Sequence, residues 1–548
     1  MFVDARRLDD GSTIEAEICI IGGGVAGITL ALEFGKRGIR TCVLESGGFR
    51  PDQPTRDLYR GENIGLPYRF ADGCRGRFLG GSSNFWGGEC QPMDEYDFAE
   101  RDWVPYSGWP FAESELLPYY DRSRAILGIG PNRFDAEFWV AAIGRADVRR
   151  IPFVTDEVTD KASQFSEPMR FGEFYRSDLN KSKDVTVLLH ANAVDIETDA
   201  DGRKVLAAKL ATLTGRTARV TATVFVLAAG GIENARLLLV SNQNQPAGLG
   251  NQNDLVGRFY MDHPRLRSGQ LRFRGTWARN RLYNLSYAYH SKVVSAHDTS
   301  IAGQLMLSPS VQARERLLNA RVRLVSIFSG GESEAADALV RIKHRIEQKA
   351  PPDWRLHRDL LTVVAHPIDT AGCIAASYLR LQHPRVCRFD AMAEPVPDPE
   401  SRVTLSEQRD QLGINRIRVR WRLDPLVKRT FDRNFALIAQ ELSRAGVADA
   451  LLDPPIEGGE WPETFQEEGT WHHMGTTRMH DSPKLGVVDR HCRVHGIKNL
   501  YVGGSSVFPT GSGFFPTITI VALALRLSDH IVKKTAWYRS VYSHALSG

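Results

Sequence analysis

The chain has 548 residues, 42% of them hydrophobic and 24% charged, and a formal net charge of +4. That length exceeds one core and calls for two or three domains, and so small a net charge without a polybasic block argues against nucleic acid as a partner. No apolar run reaches the length of a membrane span, the N-terminus lacks the regions of a signal peptide, and the seven cysteines are scattered without a CxxC pair, so the reading is a cytoplasmic chain with reduced thiols and no membrane association, metal site or disulfide framework.

The first informative run, "AEICIIGGGVAGITLALEFGKRGIRTCVLESGG", reads as strand, turn, helix, strand. Ile18 to Ile21 is an unbroken apolar run, as in a parallel strand buried on both faces. Gly22, Gly24 and Gly27 follow as GxGxxG. Gly22 permits the tight turn, Gly24 admits a pyrophosphate near the backbone, and Gly27 lets helix and strand pack closely. The second strand ends in Glu45, about 20 residues on, where a carboxylate meets ribose hydroxyls. A dinucleotide site is expected here.

In "RFLGGSSNFWGGECQPM", Arg77 to Met93, two glycine pairs flank Ser82, Ser83, Asn84 and Trp86. Such a loop exposes backbone N–H groups and suits a flat ring or a phosphate. "GWPFAESELLPYYDRS" reads as a helix entry. Lys183 to Thr214 alternates apolar and polar residues around a DGR turn and predicts a meander of strands. Val224 to Leu227 is another apolar strand, with Gly230 and Gly231 opening a helix. From Asp262 to Glu463, "LRFRG", "SYAYHSKVV" and "SRVTLSE…INRIRVRWRL" predict a mostly antiparallel sheet. The charged stretch "EAADALVRIKHRIEQKAPPDW" between them predicts a lid or surface helix, with a solvated amphipathic helix as the plainer alternative. Near the C-terminus "GTWHHMGTTRM" sets His472 beside His473.

Together these runs resemble the glucose–methanol–choline (GMC) oxidoreductase family of FAD enzymes, most nearly its pyranose-oxidase and gluconate-dehydrogenase branch. "IIGGGVAGITLA", "RFLGGSSNFWGG", "VLAAGGIENARLLL", "VGRFYMDHP", "HHMGTTRM" and "VVDRHCRVHGIKNLYVGGSSVFPTG" carry the likeness; Arg265 to Asp390 matches little. The fold class expected is α/β (α+β overall): a doubly wound, Rossmann-like FAD-binding domain and a substrate domain on a mostly antiparallel sheet. The resemblance implies an FAD domain from 1–100, 180–264 and 465–548. The substrate domain would be 101–179 and 265–464, with a lid-like helical insertion near 331–360. "NLYVGG" would add a last strand and "TITIVALALRLSDHI" a last helix.

The resemblance places one FAD against Gly22, Gly24, Ala26, Gly27, Glu45, Ser46, Arg77, Gly80, Gly81, Ser82, Asn84, Trp86, Gly87, Ala193, Val194, Ala229, Gly230, Glu233, Gly504, Ser505, Phe515, Pro516 and Thr517. The FAD is expected to be non-covalent, because members with a covalent link use a histidine in the loop near Asn84 and this loop has none. Family substrates are usually alcohols. A base takes the hydroxyl proton and the carbon gives hydride to flavin N5. The base is the first residue of the HxxGT pattern, which Thr476 fixes as His472, with His473 as its neighbour. Imidazole titrates near neutrality and suits the role. The second active-site member is usually His or Asn before Pro-Thr, but Phe515 stands there, so half of the usual pair is missing. Thr510, Ser512, His473 or a bound water remain as polar replacements. The expected reaction is oxidation of a sugar, glycoside or polyol, with oxygen or another electron acceptor. The alternatives are a bulky apolar natural product, which the two phenylalanines favour, a non-redox lyase or isomerase, and an inactive binding protein. Homo-oligomer formation stays open.

Overall fold

The computed structural model describes residues 1–66, 75–167, 169–284, 294–326, 333–347, 354–377, 386–462, 465 and 470–545. Six parallel strands form one sheet in the order Phe2–Asp4, Val185–Leu189, Thr41–Leu44, Ile18–Ile21, Val224–Leu227, Leu500–Val502. The inner strands Ile18–Ile21, Thr41–Leu44 and Val224–Leu227 are buried at every position, as their uninterrupted apolar sequences require. The helix Val25–Gly35 and the last helix, Thr517–Ala545, pack on each other beside this sheet. Val185–Leu189 alternates in sequence like the strands after it, yet it pairs in parallel with Thr41–Leu44. The meander proper is Asn192–Thr198, Val205–Ala211 and Thr217–Thr221, whose far edge pairs with Ser12–Glu15.

A second large sheet runs Ala448–Leu451, Arg265–Phe273, Val386–Ala393, Ala320–Ser326, Thr299–Leu307, Val158–Phe165, Glu89–Cys90, all antiparallel neighbours. Alternation divides its faces. Leu266, Val322, Leu324, Phe389 and Ala391 pack under the helix Pro425–Arg444 through Val427, Phe431, Phe435 and Ile438. Arg265, Arg267, Arg321, Arg323, Asp390 and Met392 occupy the other face in two cross-strand rows. "SRVTLSE…INRIRVRWRL" does not join this sheet. It forms the hairpin Arg402–Arg409 and Asn415–Arg420, to which Gly61–Asn63 adds a parallel strand. "SYAYHSKVV" lies almost wholly outside the described residues.

The segment 101–179 is shared between the two cores. Trp109, Leu116, Tyr120 and Phe171 sit with the parallel sheet, whereas Trp139, Val158 and Ala162 sit with the antiparallel one. The insertion contains the helices Glu334–Glu347, Trp354–Ala365 and Pro367–Ser377, which pack on one another. Among the described residues no helix is long and apolar enough to cross a membrane, and the cysteines form no disulfide.

Candidate active site

A cavity of about 1160 Å³ lies between the two sheets. One end is built by the C-terminal ends of the parallel strands: Ile21 to Gly24, Leu44 to Ser46, Ala228 to Gly231 and Gly504 line it. Open α/β sheets bind ligands at that edge. Gly22 has φ 113°, and a Cβ there would lie 2.5 Å from the Ala228 carbonyl oxygen. A Cβ on Gly27 would lie 1.9 Å from the Gly22 oxygen, so strand and helix meet only over glycine. Gly24 caps the helix Val25–Gly35 with no side-chain bond, leaving the first N–H groups for a ligand. Asn234 ties the turns together. Its Oδ1 accepts from the Ala229 N–H at 2.8 Å, and its Nδ2 donates to the Gly503 carbonyl at 3.2 Å and to Ser506 Oγ at 2.9 Å.

Glu45 is buried at 5% exposure beside this cradle. Its carboxylate accepts from the Gly23 and Gly47 N–H groups at 3.0 and 2.9 Å. Burial raises its pKa against those bonds. Glu233 holds Arg75, Arg77 and Arg236 at 3.0, 3.2 and 3.3 Å. Burial would raise the Glu233 pKa, but Arg236, Arg77 and Arg75 overcome it and bring it down to about 2. Arg75 and Arg77 also lie over the Tyr59 ring at 4.0 and 4.7 Å. Tyr59, Arg75 and Arg236 line the cavity although sequence reasoning passed over them; the paired arginines of "GCRGRF" were the available signal.

Ala26, Arg77, Gly81, Ser82, Trp86, Gly87, Ala193, Ala229, Gly230, Ser505, Phe515, Pro516 and Thr517 also line the cavity, whereas Gly27, Gly80, Asn84 and Val194 do not. Gly80 takes φ 98° at the turn, and Asn84 donates to the Leu79 and Gly81 carbonyls at 3.1 and 2.9 Å, so both shape the loop from behind. The described residues of the insertion are not among the cavity's lining.

The other end of the cavity is set by the run 470–479. Met261 and Met474 exchange backbone bonds at 3.0 Å, and Thr477 and Met479 donate to Ser506 and Val507 at 2.8 Å. These pairings press the two histidines between the sheets. His472 is half-buried and lines the cavity. Its Nδ1 lies 2.9 Å from His263 Nδ1 and 2.9 Å from Thr470 Oγ1. His263 is fully buried, with Nε2 at 3.0 and 2.8 Å from the Gly511 and Ser512 carbonyls. Asp262 anchors the run. It accepts from the N–H groups of His263, Thr470, Trp471 and His472 at 2.8, 3.2, 3.0 and 2.8 Å, and from Thr470 Oγ at 3.0 Å. Burial brings His263 down to about 4. His472 falls well below the usual range through burial, then through His263 and Arg321, Arg265 and Arg323. At neutral pH its imidazole is therefore a neutral proton acceptor.

His473 also borders the cavity, but its ring stacks on Tyr260 at 6.1 Å and its carbonyl accepts from Ser505 Oγ at 2.6 Å. The Phe515 ring packs edge-on against His472 at 5.1 Å, and the Arg321 guanidinium lies 3.9 Å from its centroid. Ser512 Oγ donates to Asp97 at 2.8 Å, and Thr510 donates to the Asp97 carbonyl and accepts from Trp109; both hydroxyls are committed elsewhere. The polar neighbours of His472 are Thr470 and His263, and the "VGRFYMDHP" motif of His263 was visible without its role.

The sheet-side wall carries Arg265, Arg267, Arg323 and Met392, and Trp461, Phe465 and Trp471 complete this end. Glu89 accepts from Arg321 and Arg323 at 2.9 and 2.6 Å and from Ser163 and Gln304. Asp390 takes Arg265 at 2.6 Å and Arg323 at 3.3 Å, and these cations hold it below the carboxylate range despite burial. Arg265 and Arg323 in this wall are fixed by charge-assisted bonds.

A glycine cradle at a helix N-terminus, a buried carboxylate beside it and an elongated cavity ending at a neutral imidazole fit FAD. A family model described as GMC oxidoreductase matches residues 397–524. The fructose dehydrogenase large subunit of Gluconobacter japonicus is 26% identical over 63% of this chain, a match that spans about half, 54%, of that relative. The 2-methyl-1,2-propanediol dehydrogenase of Mycolicibacterium austroafricanum is 24% identical over 95% of this chain and 96% of its own length. The pyridoxine 4-oxidase structure from Mesorbium loti superposes with a TM-score of 0.56 at 18% identity, covering 94% of this chain and 99% of that one. Fold, cavity and relatives agree: the chain is similar to the GMC oxidoreductases, with the family match itself confined to residues 397–524.

Proposed function

We propose that the protein oxidises an alcohol group of a sugar, glycoside or polyol to a carbonyl, with His472 as the base. The observation that carries this is the neutral, half-buried imidazole of His472 at one end of the cavity whose other end is the glycine cradle. FAD, when bound, would supply the hydride acceptor for this oxidation. Gly22, Gly24, Ala26, Glu45, Gly504 and the loop 80–87 would hold it at the cradle end, and Ser505, Pro516 and Thr517 towards His472. His472 takes the hydroxyl proton, and the arginine wall favours the alkoxide that develops. His473 supports the run by packing on Tyr260. In this reading the parallel sheet is doubly wound and forms the cofactor unit, and the antiparallel sheet is the substrate platform. The cofactor is held without a covalent link, as the loop from Arg77 to Cys90 has no histidine.

A second reading keeps the chemistry and replaces the sugar by a bulky apolar alcohol. Phe515, Trp461, Phe465 and Trp471 at the reacting end favour it. Anaerobic reduction of the flavin across a panel of polyols, sugars and apolar alcohols tests both, and repeating it with oxygen identifies the acceptor. His472→Ala should slow reduction by about 100- to 10,000-fold with FAD retained, and His473→Ala should do less. Equal effects, or the reverse order, would remove His472 from the role. Acid precipitation should release the flavin into the supernatant.

A further inference from the structure

The contact between His263 and His472 joins two nitrogens that can carry a proton only one at a time. Carbonyl oxygens accept and never donate, so the Gly511 and Ser512 carbonyls require the proton of His263 to sit on Nε2. His263 is fully buried and neutral, which leaves its Nδ1 a bare acceptor. The hydrogen shared across the 2.9 Å gap therefore belongs to His472 Nδ1. Thr470 gives the same answer independently. Its hydroxyl hydrogen is directed at Asp262, so its oxygen faces His472 Nδ1 as an acceptor too.

We infer that His263 is the positioning residue of this active site: it fixes His472 as the Nδ1–H tautomer and so presents a bare Nε2 for the substrate proton. The inference rests on the reading of His472 as base. It accounts for the missing partner at Phe515, because the orientation that a polar residue there would share is supplied from behind the imidazole. It also distinguishes holding from relaying. A proton passed from His472 to His263 would have to leave through Nε2, which faces only two peptide carbonyls, so the pair holds a tautomer and the proton taken from substrate stays on Nε2 until it departs towards the cavity.

The test has two arms on the FAD-loaded, full-length protein. In the first, nitrogen-15 NMR of histidine-labelled protein, with the His472 signals assigned by loss in His472→Gln, should show Nδ1 protonated and Nε2 bare at neutral pH. The opposite tautomer overturns the inference, and this arm needs neither turnover nor a folded variant at position 263. In the second, His263→Leu removes the acceptor, whereas His263→Asn places an amide oxygen near the Nδ1 position. His263→Leu should lower the maximal rate of flavin reduction by about 10- to 100-fold with KM changed less than about threefold. His263→Asn should stay within about fivefold of the unaltered protein. If leucine and asparagine are equally slow, or if leucine is harmless, His263 is only packing. If His472→Ala itself reduces flavin normally, the base assignment has failed, and the NMR result still stands by itself.

Discussion

His473 lies with its ring 27° from the plane of Tyr260, and burial pulls its pKa down to about 3. The folded value is below the unfolded one of about 6.5. The stability this neutral ring contributes is complete above that value and is lost as pH falls towards 3. By pH 5 the loss from this one residue is about 2 kcal/mol. His473→Phe keeps a ring against Tyr260 and has no proton to gain. Denaturant unfolding at pH 7 and pH 5 should show a smaller acid loss in that variant, by about that amount, and an equal loss would place the acid sensitivity elsewhere. Phe515 invites a different measurement, since its ring lies between His472 and Arg321. Phe515→Asn puts an amide there. Turnover should fall on substrates that press an apolar group to the wall and rise on small polyols. Unchanged rates on every substrate would show that position 515 does not face the reacting carbon.

At the scale of elements, the cradle depends on turns that touch. A Cβ on Gly27 meets the Gly22 oxygen at 1.9 Å, whereas one on Gly24 has no neighbour nearer than 4.0 Å. Gly27→Ala should therefore cost stability, about 1–3 kcal/mol or more. Gly24→Ala should leave apoprotein unfolding nearly unchanged and weaken FAD retention, and a gel-filtered sample reports both. Asn234→Leu strands the Ala229 N–H and unties Gly503 and Ser506, at a cost of about 1–3 kcal/mol, with flavin lost at lower denaturant than unfolding. The cradle was legible because glycine spacing and an unbroken apolar strand are local signals. Val185–Leu189 was less so: its alternation resembles that of a meander, and only burial between Phe2–Asp4 and Thr41–Leu44 makes it parallel. Likewise the hairpin at 402–420 is local, but its pairing with Gly61–Asn63 is decided by tertiary packing. His263 stood in a visible motif, yet its partner is more than two hundred residues away, and no periodicity reports such a meeting.

For the whole molecule, the helices of the insertion carry side chains that the two cores do not use. Val364 is 76% and Ile368 85% exposed, while Phe431 under the antiparallel sheet is 0%. Val364→Ser and Ile368→Ser should move the unfolding midpoint by less than about 0.5 kcal/mol, and Phe431→Ala should cost about 3–5 kcal/mol. A large effect at either exposed position, or one that depends on protein concentration, would mean that this ridge is covered in solution.

The edge strand Leu500–Val502 lies two places from Ile18–Ile21 in the parallel sheet, separated from it only by Val224–Leu227. On a ribosome these three neighbours emerge far apart in time. A nascent chain exposes its nucleotide cradle early, while the strand that closes the sheet, the helix that braces it and the imidazole that would take a proton are still unmade. On the proposal that His472 is the base, a polypeptide halted midway presents glycines to a flavin before the imidazole that would take the substrate proton has been made.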